Sequence, residues 1–226
     1  MSFTTRWTHT QRLSLSKSSP TKRKCALTFD DLKKVTNDLE SSIQHNDLLF
    51  LSMLITGFFT LMYLGKLSFL NNQKLRSWKK ISKRSSVILS DDHYGFHLPC
   101  HKANWFFEGN HIIVKSKQYC DINPLMIFTK YLTSHDCLFP LSSPLWLMKN
   151  RAIPNCQFFI SHLRHYFTKD IAGQSMCARG ATSLAEHGVP PSLIQFMGRW
   201  SSDAFFIYIR KSPVLIQALL HSNQHH

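Results

Sequence analysis

Histidine and cysteine are the residues of this chain that first invite chemistry, and the chemistry would be metal ligation. The sequence has 13 His and 6 Cys. His97 and His101 stand four apart, a separation that puts two imidazoles on one helical face, but Pro99 between them argues against that helix. His162 and His165 are three apart on a stretch with helical pattern, and no clear third ligand accompanies them. His221, His225 and His226 fall in the C-terminal tail. The cysteines (Cys25, Cys100, Cys120, Cys137, Cys156, Cys177) form no CxxC pair and read as reduced intracellular thiols, not as a zinc knuckle or a disulfide frame. No metal site and no cofactor is expected.

The cations carry a stronger message. Lys and Arg number 27 against 13 Asp and Glu, a formal net charge of +14, and the isoelectric point is near 9.7. Such a surplus suits a polyanionic partner, either nucleic acid or an acidic membrane surface. Residues 1–26 are Ser/Thr-rich, hold Arg6, Arg12, Lys17, Lys22, Arg23 and Lys24, and contain no acid. They read as a flexible basic arm without the apolar run of a secretory signal, although a mitochondrial transit peptide has the same composition. Residues 66–117 are a second basic stretch, and the length of 226 residues suffices for one domain with a core beside the arm.

The elements that would position these residues follow from caps and periodicity. Thr28 followed by Asp31 reads as a capping box, and Leu27 to Leu39 fits an amphipathic helix. Asn46-Asp47 starts another, and no residue from Leu48 to Gly65 is charged. That run is at the short limit of a bilayer span, yet it reads better as a core helix buried all round. Val87–Leu89, Tyr94–Leu98 and His111–Val114 read as short strands of an antiparallel sheet, with Glu108-Gly109-Asn110 as a turn. Asp121 to Pro124 introduces a helix to about Leu132, and Pro154–Phe167 is amphipathic. Ala178–His187 is helical and stops at Gly188, Pro190-Pro191 restarts the chain, and Leu193, Ile194, Phe196 and Met197 give that second helix an apolar face up to Gly198. Ser201 caps a third helix carrying Phe205, Tyr208 and Ile209 on one side, with Arg210-Lys211 at its end and Pro213 beyond.

The stretch GVPPSLIQFMGRWSSDAFFIYIRKSP is long, ungapped and specific, and it resembles the C-terminal catalytic segment of tyrosine recombinases, the phage-integrase superfamily. The nearest likeness is to members carried by eukaryotic retrotransposons and cryptons. LTFDDL, GFF and HLPCHKANWFFEGNHIIV resemble the same family, so the likeness covers about residues 27–220. It implies a mixed α+β, mainly helical catalytic domain with a small antiparallel sheet, flanked by the arm (1–26) and a short tail (221–226).

The resemblance also implies a chemistry. In the family, a tyrosine hydroxyl attacks a DNA phosphate without metal, two arginines stabilise the charge that develops, and a lysine protonates the leaving oxygen. Residue by residue, the nucleophile position falls on Tyr208 and the lysine on Lys102. The first arginine position is Tyr63, with Lys66 where an acid is expected. The histidine and second arginine of the HxxR phrase are Gln174 and Cys177, and the later histidine position is Arg199, beside Trp200. Arg179 lies about 200° round a helix from Cys177 and is a poor replacement there.

The expected function is therefore that of a DNA-binding relative of the recombination and integration machinery of a mobile element, with a degenerate active site. Its contacts to the DNA backbone would come from Lys102, Arg179, Arg199 and Arg210. Self-association on DNA fits this reading, as does a nuclear or other intracellular location; a small-molecule substrate does not. One alternative is an active recombinase whose clamp is rebuilt by Lys66, Arg179 and Arg199. Another is a membrane-anchored basic protein that uses Leu48–Gly65.

Overall fold

The computed structural model describes residues 27–99, 110–116, 121–169, 175–200 and 213–222, with 175–179 and 218–222 described by backbone alone. The basic arm and the Tyr208 helix expected from sequence lie outside them.

α1 (Phe29–Leu39) begins on the expected box: the Thr28 hydroxyl accepts from the Asp31 amide at 3.2 Å, and the Thr28 amide donates back to Asp31 Oδ2 at 2.9 Å. α2 (His45–Phe59) follows, and every residue from Leu48 to Phe59 is buried. No helix among the described residues is long and apolar enough to cross a membrane. The apolar run serves instead as the axis of the core: α1, α4 (Pro124–Leu138) and α6 (Ser175–Glu186) all pack on α2. Its few polar groups are internally bonded, as burial demands. Thr56 Oγ1 and the Tyr94 hydroxyl lie 2.8 Å apart, and Ser52 Oγ donates to the Ile127 carbonyl at 3.3 Å.

The sheet is three antiparallel strands in the order β1 (Ile88–Leu89), β2 (His93–Leu98) and β3 (Asn110–Lys115). Tyr94 pairs with Val114 and Phe96 with Ile112, and this alternate set faces the core. The Tyr94 ring stacks on Phe128 of α4 at 4.0 Å. The other set (His93, His97, His111, Ile113, Lys115) points away. Gly95 is obligatory, because a Cβ there would stand 2.6 Å from the Ile112 carbonyl oxygen.

α3 (Leu64–Leu67) is a single turn. Three 3₁₀ turns then lead to β1: Gln73–Leu75, Trp78–Lys80 and Arg84–Ser86. α5 (Cys156–Tyr166) is capped by Asn155, α7 is Pro191–Gly198, and α8 (Pro213–Ser222) packs on α6 and α7. α4 runs six residues past the expected Leu132, and α8 enters the stretch expected as tail. The extension of α4 has a cause in the core. His135 is fully buried, its Nε2 3.1 Å from the Pro144 carbonyl and its Nδ1 3.0 Å from Asp136. A second buried imidazole, His45, bridges Ser134 and the Leu147 carbonyl at 2.9 and 2.8 Å, and burial lowers its pKa.

Candidate nucleic-acid interface

Two helix ends meet to make the site. α2 ends with the Leu61 amide donating to Phe58 and the Met62 amide donating to Gly57, at 3.2 and 2.8 Å. This closure needs a left-handed residue, and Leu61 supplies it at φ 51°. α7 ends in the same pattern: the Arg199 amide donates to Phe196 and the Trp200 amide to Gln195, with Arg199 at φ 52°. α6 closes identically on Gly188 at φ 78°, the residue that tolerates this conformation without cost. The two ends that meet use Leu and Arg instead, each costing on the order of 1 kcal/mol.

The strained pair is held by packing. Leu61 is buried, and its Cδ2 comes so close to α6 that a Cβ on Gly180 would lie 2.7 Å from it. Arg199 reaches across from α7, and its Nη2 donates to the Thr60 carbonyl at 2.8 Å. A guanidinium thus rests on the C-terminal end of α2, where the helix dipole favours a cation. Trp200 lies over Gly198, where a Cβ would sit 2.6 Å from the indole ring. The GRW sequence is therefore one device: glycine admits the indole, and the left-handed arginine then ties α7 to α2. Gly198→Ala is expected to push the indole aside, costing roughly 1–3 kcal/mol and lowering Tm by several degrees in a calorimetric melt. An unchanged Tm would show that Trp200 moves freely.

These ends floor a cleft of about 1080 Å³ between β3 and α7. His111, Ile113 and Lys115 line it from the strand, Leu193, Phe196 and Met197 from the helix, and Thr60, Arg199 and Trp200 from below. Phe196 is 79% exposed and Ile113 61% exposed. The apolar face expected on α7 is thus split: Ile194 is buried in the core, while Phe196 turns to the cleft. The outward alternation of His111, Ile113 and Lys115 was the one sequence signal for these wall residues.

Of the sequence-derived site residues, the described structure brings two to this corner. Tyr63 stands at the N-cap of α3, three residues after Thr60, and is 46% exposed. Arg199 is bonded to Thr60 itself. Cys177 and Arg179 are in the backbone of α6, one turn or less before Gly180. Lys102, Gln174, Tyr208 and Arg210 lie outside the described residues. The segment containing Lys102 joins Leu98 to Asn110, a cleft residue, and the segment containing Tyr208 starts next to Trp200 on the cleft floor. Among the described residues, no group of three or more His, Cys, Asp or Glu could hold a metal ion.

No family model and no curated protein matches the chain. Solved structures do. The XerH site-specific recombinase bound to palindromic difH substrate, in a post-cleavage complex, superposes with a TM-score of 0.56 at 13% identity over 87% of this chain. Lambda integrase residues 75–356, a dimer bound to a COC′ core site, gives a TM-score of 0.52 at 15% identity over 85% of this chain. The fold is that of a tyrosine-recombinase catalytic domain. The chain spans 52% and 62% of the length of those two structures. The helical domain with one small antiparallel sheet, expected from the sequence, is what the chain forms.

Proposed function

We propose that this tyrosine-recombinase-like domain binds duplex DNA through the cleft between β3 and α7 and has lost most of its strand-transfer chemistry. The observation that carries the binding is the cleft itself: an open groove with Lys115, His111 and Arg199 on its surface in a chain of net charge +14. The XerH and lambda integrase structures were both solved on DNA, which supports the same partner here. Loss of chemistry is inferred from Tyr63, Gln174 and Cys177, which stand where the resemblance expects Arg, His and Arg. Descent from a mobile element, a nuclear location and self-association on DNA belong to the same proposal.

The test is duplex binding measured against salt. Retardation of an arbitrary duplex is expected at low salt, with an affinity that falls steeply as salt rises, since each neutralised phosphate contributes about 0.9 to the log–log slope. Lys115→Glu should weaken it. A protein that shifts no duplex at low salt would end this reading.

A further inference from the structure

The segment between α3 and β1 lies outside the cleft and exposes a tryptophan, Trp78. No acidic residue occurs from Leu48 to Ser90. The segment is nonetheless fixed in shape. The Phe69 amide donates to Pro154 at 2.8 Å, the Gln157 amide to Asn71 Oδ1 at 3.0 Å, and the Leu145 amide to Ser82 at 2.8 Å. Two of its cations are engaged. Arg84 makes a bidentate pair with Asp136 at 2.8 and 2.6 Å, and Arg76 donates to the Leu70 and Asn71 carbonyls while lying 5.6 Å from the Phe69 ring centre. Lys74, Lys79 and Lys80 make no ion pair among the described residues.

Trp78, 73% exposed, opens the 3₁₀ turn Trp78–Lys80, next in the chain to Lys79 and Lys80 and four residues after Lys74. Its ring meets Phe69 edge to face at 5.7 Å and 88°. The indole is thus braced from one side while most of its surface faces solvent. A braced tryptophan on an acid-free loop, with three lysines within four residues of it in the chain, combines an aromatic platform with nearby cations.

We infer that Trp78, with Lys74, Lys79 and Lys80, is a stacking platform for the unpaired bases of a nucleic-acid strand, separate from the cleft. The indole face takes a base of any identity, and the ammonium groups take the phosphates on either side. A protein partner fits less well, because lysine is depleted in such interfaces. A membrane surface fits less well, because such binding usually comes from one apolar face of a longer amphipathic helix. The segment runs into β1, and β3 bounds the cleft. The inference rests on the DNA-binding reading above and adds to it a second surface with a preference for single strands.

The experiment is fluorescence anisotropy with a labelled oligothymidylate and with a duplex of equal length. The proteins are the wild type, Trp78→Ala, Trp78→Phe, Lys79→Glu/Lys80→Glu and Lys115→Glu. Trp78→Ala is expected to weaken single-strand binding about tenfold and to leave duplex binding nearly unchanged, while Trp78→Phe keeps most of the affinity. The double glutamate variant should lower the single-strand salt slope by about 1.4, roughly 0.7 for each phosphate that is no longer neutralised. If Trp78→Ala binds oligothymidylate like wild type while Lys115→Glu still loses duplex, the platform is refuted and the cleft reading stands. If the wild type binds neither DNA, both fall. If Trp78→Ala loses binding to phosphatidylserine vesicles and keeps oligothymidylate, the surface belongs to a membrane and the inference is overturned.

Discussion

Leu54→Asp is expected to leave no folded protein. Leu54 lies in the middle of α2 and is 0% exposed. The polar groups of its own helix, Ser52 and Thr56, are already bonded to Ile127 and Tyr94, so a carboxylate there would meet no free donor in that helix. Burying an unpaired carboxylate, or raising its pKa until it is neutral, costs several kcal/mol, and the lost leucine packing adds about 2–5 more. The whole domain is stable by about 5–15 kcal/mol, so the sum consumes most or all of it. Leu54→Met, which conserves volume, should cost less than about 1.5 kcal/mol and serves as the control. Circular dichroism of the soluble fraction separates the two. A Leu54→Asp protein that melts like wild type would mean that α2 is not the core axis. Wild-type protein that resists carbonate extraction from membranes would restore the membrane reading of this run.

The reasons that α2 could be foreseen also show where the sequence stops being informative. A run without charge, preceded by Asn46-Asp47 and adjoining a second helix with its own capping box, has few readings other than a core helix. β2 and β3 were legible as short runs rich in aromatic and β-branched residues beside the Glu108-Gly109-Asn110 turn signal, and Tyr94, Phe96, Ile112 and Val114 are the side chains that turn inward. The end of α4 was hidden because His135 looks like a surface residue in sequence, and only the loop returning through Pro144 gives it a buried partner. The closure of α2 was hidden for a different reason. The usual signal is glycine, whereas here Leu61 takes that conformation with its side chain packed against Gly180 of α6, a neighbour far along the chain. Arg199 read as a phosphate contact at a helix end. The structure gives it a prior engagement with Thr60, which is a positional role before it is an electrostatic one. That engagement also weakens the alternative in which Arg199 rebuilds the clamp, since part of its donor fork is already committed to a carbonyl.

The unmodified protein is expected to form no phosphotyrosyl adduct with nicked suicide duplexes. Transfer of a phosphoryl group needs charge stabilisation at the transition state, and each preorganised donor removed from such a site typically costs about 10²–10³ in rate. On the resemblance, the first arginine position falls on Tyr63, which is 46% exposed and has no cationic group to offer. Lys66, in the single turn that follows, is a point charge and cannot supply a bidentate fork. The same resemblance puts the second arginine position on Cys177 in α6, and three residues on in that helix Gly180 presses against Leu61 and the Phe58 carbonyl. On that correspondence, the α6 backbone carrying Cys177 runs beside the turn that leads to Tyr63. This makes restoration a meaningful experiment. Tyr63→Arg, Gln174→His and Cys177→Arg together are expected to recover a detectable adduct, whereas each single change should recover none, because the groups act as a unit. The adduct must vanish with Tyr208→Phe, and Lys102→Ala should reduce it. Cys177→Arg has the largest steric risk, since it adds the most volume of the three changes; a melt of that variant alone would separate misfolding from failed chemistry. A Tyr208-dependent covalent complex formed by the natural sequence would overturn the loss of chemistry and establish an active recombinase with a different clamp.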